Sequence, residues 1–118
     1  MLLALMVLAS AAMAGDRQLK ALIVGTWTWS EGDENPTMIT YQTDGVELVG
    51  RHNYEMKWEV KNGELIETPD PDAQDRTIWP SSTSQLAKRI NVYAILFLTK
   101  HEFLIREKSA GSYIFMSR

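Results

Sequence analysis

Cysteine is absent from the 118 residues of the chain. Its absence excludes a disulfide framework, a thiolate metal site and a thiol nucleophile. It also excludes an amino-terminal cysteine carrying a lipid, so we expect the mature protein to be soluble. Stability must come from one apolar core, and a mature chain of this length is expected to unfold at a cost of only about 5–15 kcal/mol.

Long runs of one charge are also missing. The 12 basic and 15 acidic residues are interspersed and give a formal net charge of -3. Nucleic-acid-binding proteins usually carry a basic stripe, so we expect no nucleic-acid partner. With 45% hydrophobic and 23% charged residues, the composition is that of one globular domain.

Motifs for catalysis and metal binding are lacking as well. There is no Gly-x-Ser-x-Gly, no His-Glu-x-x-His and no glycine-rich phosphate loop. His52 and His101 lie far apart, without a neighbouring His or Cys to complete a metal set. Asp70, Asp72 and Asp75 share one loop but lack the Gly and terminal Glu of the helix-loop-helix calcium motif. The sequence therefore predicts no catalytic residue, no metal and no cofactor.

No apolar run reaches the roughly 20 residues that a membrane-spanning helix needs. The run Leu2 to Ala9 is short and is followed by Ala12-Met13-Ala14, the small-x-small pattern that signal peptidase reads. We interpret residues 1–14 as a signal peptide and residues 15–118 as the mature domain. A membrane anchor is the alternative, which the length disfavours. The predicted location is periplasmic or secreted, with no membrane span after cleavage.

The mature chain opens on a helical turn and a strand. Asp16 to Ala21 predicts one helical turn, with Asp16 as its cap. Leu22 to Trp29 is rich in β-branched and aromatic residues, and its row with Trp27 and Trp29 is the predicted interior. Gly25 lies on this row, where a strand bends or another backbone approaches.

Two hairpin signals follow. Asp44-Gly45 lies between the strand-like segments Thr37–Thr43 and Val46–Val49. Tyr54 to Lys61 alternates apolar and charged residues, and Asn62-Gly63 then predicts a return strand over residues 64–68. Each pair of segments is expected to be antiparallel.

The last third is less regular at first. Within residues 69–85, Arg76 to Trp79 is a candidate short strand, and residues 85–89 fit either a helical turn or an extension of the next strand. Ile90 to Leu98 is apolar on both faces, as in a strand covered on both sides or one at a subunit contact. Its predicted outward row is Tyr93, Ile95 and Phe97.

Strands at residues 103–107 and 113–118 complete the count of about eight or nine short strands, which predicts an all-β antiparallel meander. Such a meander forms a small barrel, closed or partly open, with a short helical turn at its amino-terminal side. Closure of the sheet on itself also removes exposed edges.

The chain resembles the lipocalin-like superfamily, especially its small bacterial members. Four features carry the resemblance: the helical lead-in, Gly25-Thr26-Trp27 on the first strand, the Thr40-Tyr41-Gln42-Thr43-Asp44-Gly45 hairpin, and a closing strand that ends in Arg118. The resemblance implies a barrel in which Arg118 packs across Trp27 and closes one end. This gives Gly25, Trp27 and Arg118 structural roles, and the cation–π contact contributes roughly 0.5–2 kcal/mol.

An aromatic and methionine-bearing interior is typical of a small-molecule site. The candidate ligand-binding residues are Trp29, Met38, Tyr54, Met56 and Trp58. A core packed solid by its own side chains is the alternative, because small barrels are often filled in this way. The predicted function is an exported barrel that binds a small apolar or amphipathic ligand.

A second hypothesis is a non-enzymatic protein-interaction module of the periplasm or cell surface. The barrel would then be a scaffold for an inhibitor or assembly partner, or would form a homodimer. Its motivating features are the apolar outward row on Ile90–Leu98 and the irregular loop before it, since an exposed apolar row can mark an interface.

Overall fold

The computed structural model describes residues 15–30, 36–51, 53–69 and 90–118. Several predictions fall outside these residues. They concern the signal peptide at 1–14, the strand at 76–79, the segment 85–89, His52, and the aspartates at 70, 72 and 75.

One helix and eight strands make up the described part of the chain. The helix α1 spans Asp16–Ile23. The strands are β1 (Gly25–Trp29), β2 (Thr37–Tyr41), β3 (Val46–Val49), β4 (Tyr54–Lys61), β5 (Glu64–Pro69), β6 (Asn91–Leu98), β7 (Glu102–Glu107) and β8 (Tyr113–Ser117). The predicted all-β fold class with a short amino-terminal helix is confirmed.

The strands form a closed antiparallel barrel in chain order. Each strand pairs with the next, and β1 pairs with β8 through Thr28 opposite Ser117 and Trp29 opposite Met116. Of the two predicted forms, the closed barrel is the observed one. Its strands therefore leave no unpaired sheet edge of the kind that promotes aggregation.

Both predicted hairpin turns are present. Gly45 has φ 87°, and the Val46 N–H donates to Asp44 Oδ1 at 3.0 Å. Asn62 and Gly63 have φ 54° and 77°, the pair of positive angles that a type I′ turn requires. These two turns explain how short local signals set the register of four strands.

The helix α1 covers one end of the barrel, which we call the helix end. Leu19 and Ile23 are 1% and 0% exposed in the core. The prediction that Asp16 caps the helix is wrong, because Gly15 is the N-cap residue. The Asp16 carboxylate instead accepts hydrogen bonds from the N–H groups of Asn62 and Gly63, at 2.8 and 2.9 Å. These bonds tie the start of α1 to the β4–β5 turn.

Strand β6 corrects another prediction. Tyr93 is 7% exposed, and Ile95 packs against the buried core. A β-bulge follows, because Ile95 pairs with Ile105 but Phe97 pairs with Leu104. The extra residue reverses the alternation, so Tyr93 and Ile95 point inward while Phe97 does not share their face. The predicted outward row is therefore not one row.

Candidate interior ligand site

The helix end is closed by Arg118 and Trp27. The Trp27 side chain is 0% exposed, and its Nε1 donates to the Ile23 carbonyl at 2.8 Å. The Arg118 guanidinium carbon lies 3.9 Å from the centre of the Trp27 ring. The contact that the lipocalin resemblance implies is thus present.

Arg118 also donates hydrogen bonds to three backbone carbonyls in two segments of the chain. Its Nη1 and Nη2 donate to the carbonyls of Val24 and Leu22, at 2.8 and 2.7 Å, and its Nε donates to the Lys100 carbonyl at 2.6 Å. Gly25 makes room for it, since a Cβ at that position would lie 2.6 Å from Arg118 Nη1. Gly25 also has φ 130°, an angle that other residues rarely adopt. These contacts therefore connect the end of α1, the start of β1 and the β6–β7 turn at this end of the barrel.

The predicted ligand-binding residues do not all share the interior. Met56 and Trp58 are buried, at 7% and 3% exposed, and the half-buried Trp29 packs against the core. Tyr54 is half-buried on the same alternating row of β4 as Met56. Met38 is an exception, because it is 47% exposed on the outer surface.

Met38 was misplaced because its strand had no interior row assigned from the sequence. On β2 the buried residues are Ile39 and Tyr41, so Met38 lies on the opposite face. It accepts a hydrogen bond at its sulfur from the Thr28 hydroxyl, at 3.3 Å. A ligand inside the barrel would not contact Met38.

Aromatic rings form a continuous apolar part of the interior. Tyr41 lies between Trp58 and Phe103, with ring centres 5.2 and 6.4 Å away in edge-to-face geometry. Phe103 in turn lies 5.4 Å from Trp27. The Trp58 Nε1 donates to the Gln42 carbonyl at 3.0 Å, which satisfies its one polar atom. This chain of rings leads from the helix end into the barrel.

A second, polar part of the interior was not predicted from the sequence. Strands β3, β5, β6 and β7 each contribute one buried polar residue, and these residues are between 1% and 8% exposed. With the two buried tyrosines, they form what we call the interior polar cluster: Tyr41, Glu47, Glu67, Asn91, Tyr93 and Glu107.

Strand register brings the cluster together. Glu47 lies opposite Tyr41 on one side, Glu67 lies opposite Asn91, and Tyr93 lies opposite Glu107. Glu67 and Glu107 lie near the ends of β5 and β7, which run away from the helix end. Asn91 is the first residue of β6, which runs towards the helix end. The cluster is therefore displaced from the Arg118–Trp27 closure.

Hydrogen bonds centre on the Glu67 carboxylate. The carboxyl group of Glu47 and the hydroxyl of Tyr93 both bond to it. Burial, and then the neighbouring Glu67 charge, raises the pKa of Glu47 well above its ordinary value. The same two causes raise the pKa of Tyr93, and burial raises the pKa of Tyr41. Glu47 thus keeps its proton at a pH where an exposed glutamate has lost it, and its carboxyl O–H donates a hydrogen bond to Glu67.

A carboxyl oxygen of Glu47 lacks a hydrogen-bond partner among the described residues. Glu47 Oε1 is buried and accepts no hydrogen bond from any described residue. A buried acceptor left unpaired costs roughly 1–3 kcal/mol. Among the described residues, no Lys, Arg or His side chain forms an ion pair with Glu47 or Glu67, and Lys108 pairs with Glu64 instead. Glu47 and Glu67 therefore have acceptor capacity and negative charge that the described part of the protein leaves unmatched.

The inward position of Glu47 can be recognised from the sequence only when the pairing of β3 with β2 is considered. Glu47 lies in Val46-Glu47-Leu48-Val49, where either row looks apolar enough to be buried. Once the β2–β3 hairpin is in register, Glu47 falls opposite the inward Tyr41. Counting across that turn from an inward aromatic residue would have identified the buried carboxyl.

The residues that the structure describes contain no group of three or more His, Cys, Asp or Glu side chains arranged to hold a metal ion. None of their helices is long and apolar enough to cross a membrane. Comparisons of the chain with known protein families, with curated proteins and with solved structures found no match.

Proposed function

We propose that this chain is an exported, lipocalin-like barrel that binds a small amphipathic molecule in its interior. The observation that carries the proposal is the division of the barrel interior into an aromatic part and the interior polar cluster. Small-molecule sites combine mostly apolar walls with a few placed polar groups. A purely structural core of this size would gain stability from apolar residues at the same positions, because buried polar groups are costly.

Export is part of this proposal and depends on the sequence. The apolar run and the Ala12-Met13-Ala14 pattern within residues 1–14 support a cleaved signal peptide. The lipocalin-like assignment is supported by the Gly25-Thr26-Trp27 motif, the Arg118–Trp27 contact and the closed antiparallel barrel.

The first test uses two methionines on opposite faces of the barrel. Met56 is buried inside, whereas Met38 is on the outer surface. We expect the neutral probe N-phenyl-1-naphthylamine to bind and quench tryptophan fluorescence. Met56→Gln should weaken this binding about tenfold, because it places an amide against an apolar ligand. The matched variant Met38→Gln should bind as the unchanged protein does.

Native mass spectrometry of the freshly purified protein provides an independent measurement. We expect an additional mass that disappears on denaturation, which is the sign of a ligand carried through purification. A protein that carries nothing and does not respond to the probe or to a panel of lipids and metabolites would contradict the proposal. Equal effects of the two methionine substitutions would place binding outside the barrel interior.

A second candidate function, an interaction module or homodimer, is supported by the outer face of β6 to β8. Phe97, Leu104 and Phe115 are cross-strand neighbours in one row. Phe115 is 48% exposed and Tyr113 beside it is 62% exposed. Exposed apolar groups that adjoin one another are typical of interaction surfaces. This row replaces the one predicted from the sequence, which the bulge in β6 divides.

Sedimentation velocity tests this second candidate. A homodimer formed through this face should dissociate in the variant Phe115→Glu, because each copy would bury a charge at the contact. The control Lys61→Glu changes charge on an exposed residue of β4, on another part of the barrel. A strict monomer at all concentrations, together with no partner recovered by crosslinking, would count against an interaction module.

A further inference from the structure

We infer that the interior polar cluster recognises an amine, so that the ligand of the barrel is a small molecule with an ammonium head and an apolar tail. The inference rests on the proposed small-molecule binding and adds the chemical class of the ligand. It follows from three observations on the cluster: its unpaired oxygen, its unmatched charge and its position beside the aromatic rings.

The first observation is the unpaired Glu47 Oε1, which is buried and lacks a donor among the described residues. The position suits a hydrogen-bond donor brought by a ligand. An ammonium group has three donors and no acceptor. It would supply Glu47 Oε1 with its missing partner and have two further N–H groups for neighbouring acceptors.

The second observation is the charge balance. Glu67 is 8% exposed, and its carboxylate is held by the Glu47 carboxyl and the Tyr93 hydroxyl. No basic side chain of the described segments forms an ion pair with it. Hydrogen bonds between a buried carboxylate and a cationic donor are among the strongest in proteins. An anionic ligand would be repelled here, and a neutral one would leave the charge unmatched.

The third observation is the wall next to the carboxyl groups. Met56 lies opposite Glu47 and Trp58 lies opposite Glu67 in the strand register. The Tyr41 ring packs edge-to-face on Trp58. A ligand whose ammonium group is bound by Glu47 and Glu67 would therefore have apolar and aromatic surface beside its tail. Aromatic faces also attract the cationic head group itself.

Binding of an amine would release a proton. The free ligand is an ammonium ion at neutral pH, since alkyl amines resemble the lysine side chain, with a pKa of about 10.4. The Glu47 carboxyl gives its proton to the solvent as the ammonium arrives, and a carboxylate–ammonium pair replaces the carboxyl–carboxylate bond. The groups facing Glu47 are Tyr41 from β2, Glu67 from β5 and Tyr93 from β6, with Glu107 of β7 facing Tyr93. The two tyrosines have raised pKa values, so they stay neutral during this exchange.

The experiment compares three probes of nearly equal shape by isothermal titration calorimetry: 2-phenylethylamine, 2-phenylethanol and 3-phenylpropanoate. We expect the amine to bind best. In the pH range where binding releases one proton from Glu47, the affinity for the amine should rise by up to about tenfold for each unit of increase in pH. The measured heat should also change with the ionisation enthalpy of the buffer. The alcohol should show neither dependence.

Two glutamate variants sharpen the comparison. Glu47→Gln keeps the shape of the side chain and a donor to Glu67, but removes the charge that forms on binding. We expect it to weaken amine binding at least about tenfold, to abolish proton release, and to leave alcohol binding within about twofold. Glu59→Gln, on the exposed face of β4, is the matched control and should change neither. Circular dichroism confirms that both variants are folded.

The outcomes separate this inference from the proposed function. If the alcohol binds as well as the amine and Glu47→Gln changes nothing, amine recognition is overturned while binding in the barrel stands. If the carboxylate probe binds best, the assigned charge of the site is wrong. If none of the three probes binds and the neutral naphthylamine probe of the first test also fails, both are overturned.

Discussion

Trp27→Ala is expected to lower the free energy of unfolding by about 3–5 kcal/mol. Its side chain is fully buried, packs on Phe103 at 5.4 Å and donates a hydrogen bond to the Ile23 carbonyl. Truncation therefore leaves a cavity and an unpaired carbonyl where α1 meets β1. Because a small domain has only about 5–15 kcal/mol in total, the loss brings the barrel close to unfolding. Urea titration followed by far-ultraviolet circular dichroism measures it.

Two further variants test the explanation. Phe115→Ala removes an aromatic ring that is 48% exposed on the outside and should change the stability by less than about 1 kcal/mol. A double-mutant cycle of Trp27→Phe with Arg118→Ala measures the contact between guanidinium and ring, because phenylalanine keeps the fold but binds a cation less strongly. We expect a coupling energy of about 0.5–1 kcal/mol. A Trp27→Ala protein as stable as the unchanged chain would contradict the structural role of this pair.

Glu47→Gln is expected to make the protein more stable than the unchanged chain at pH 8 and to leave it nearly unaltered at pH 4. Glu47 is 1% exposed, and burial raises its pKa above the ordinary value of 4.5. Its ionisation would place a second negative charge beside Glu67. A glutamine cannot ionise, yet its amide still donates to the Glu67 carboxylate. Since an uncompensated buried charge costs more than a neutral group, the difference at pH 8 should be at least about 1 kcal/mol.

The direction follows from proton counts. Between pH 4.5 and the raised pKa in the fold, Glu47 holds its proton in the folded state and has lost it in the unfolded chain. The folded state then binds more protons, so the free energy of unfolding falls as the pH rises through this window. Below pH 4.5 both states are protonated and the contribution of Glu47 is fully present. Denaturant titrations from pH 4 to pH 8 on both proteins measure the difference.

Glu59→Gln again serves as the control, because Glu59 is exposed on the outer face of β4. Its profile against pH should run parallel to that of the unchanged protein. If the Glu47→Gln and Glu59→Gln profiles are the same, Glu47 is not the buried carboxyl that governs this pH range. The neighbouring Tyr41 and Tyr93 do not affect the comparison, since their raised pKa values keep them neutral throughout.

Local chemistry explains which parts of the fold were predictable. Asn62-Gly63 specifies a tight turn by itself, because its two residues adopt positive φ readily. The strict alternation of Tyr54 to Lys61 identifies the inner face of β4 without any knowledge of its neighbours. Met38 was misassigned because its strand, Thr37–Tyr41, contains no charged residue and so shows no alternation between charged and apolar residues.

The sequence by itself determined the two hairpin turns, the all-β class and the Trp27 core position, since each depends on neighbours within a few residues. It also located most of the described strands, but it placed Leu22 and Ile23 in the first strand, whereas they belong to α1. Only the tertiary structure brought Glu47 and Glu67 next to each other, formed the bulge in β6 and closed β1 on β8. These features depend on how each strand is aligned with its neighbours, and the alignments of all eight strands must be compatible for the barrel to close. A one-residue shift reverses every side chain of a strand, so the pattern within a single strand does not specify which of its glutamates is buried.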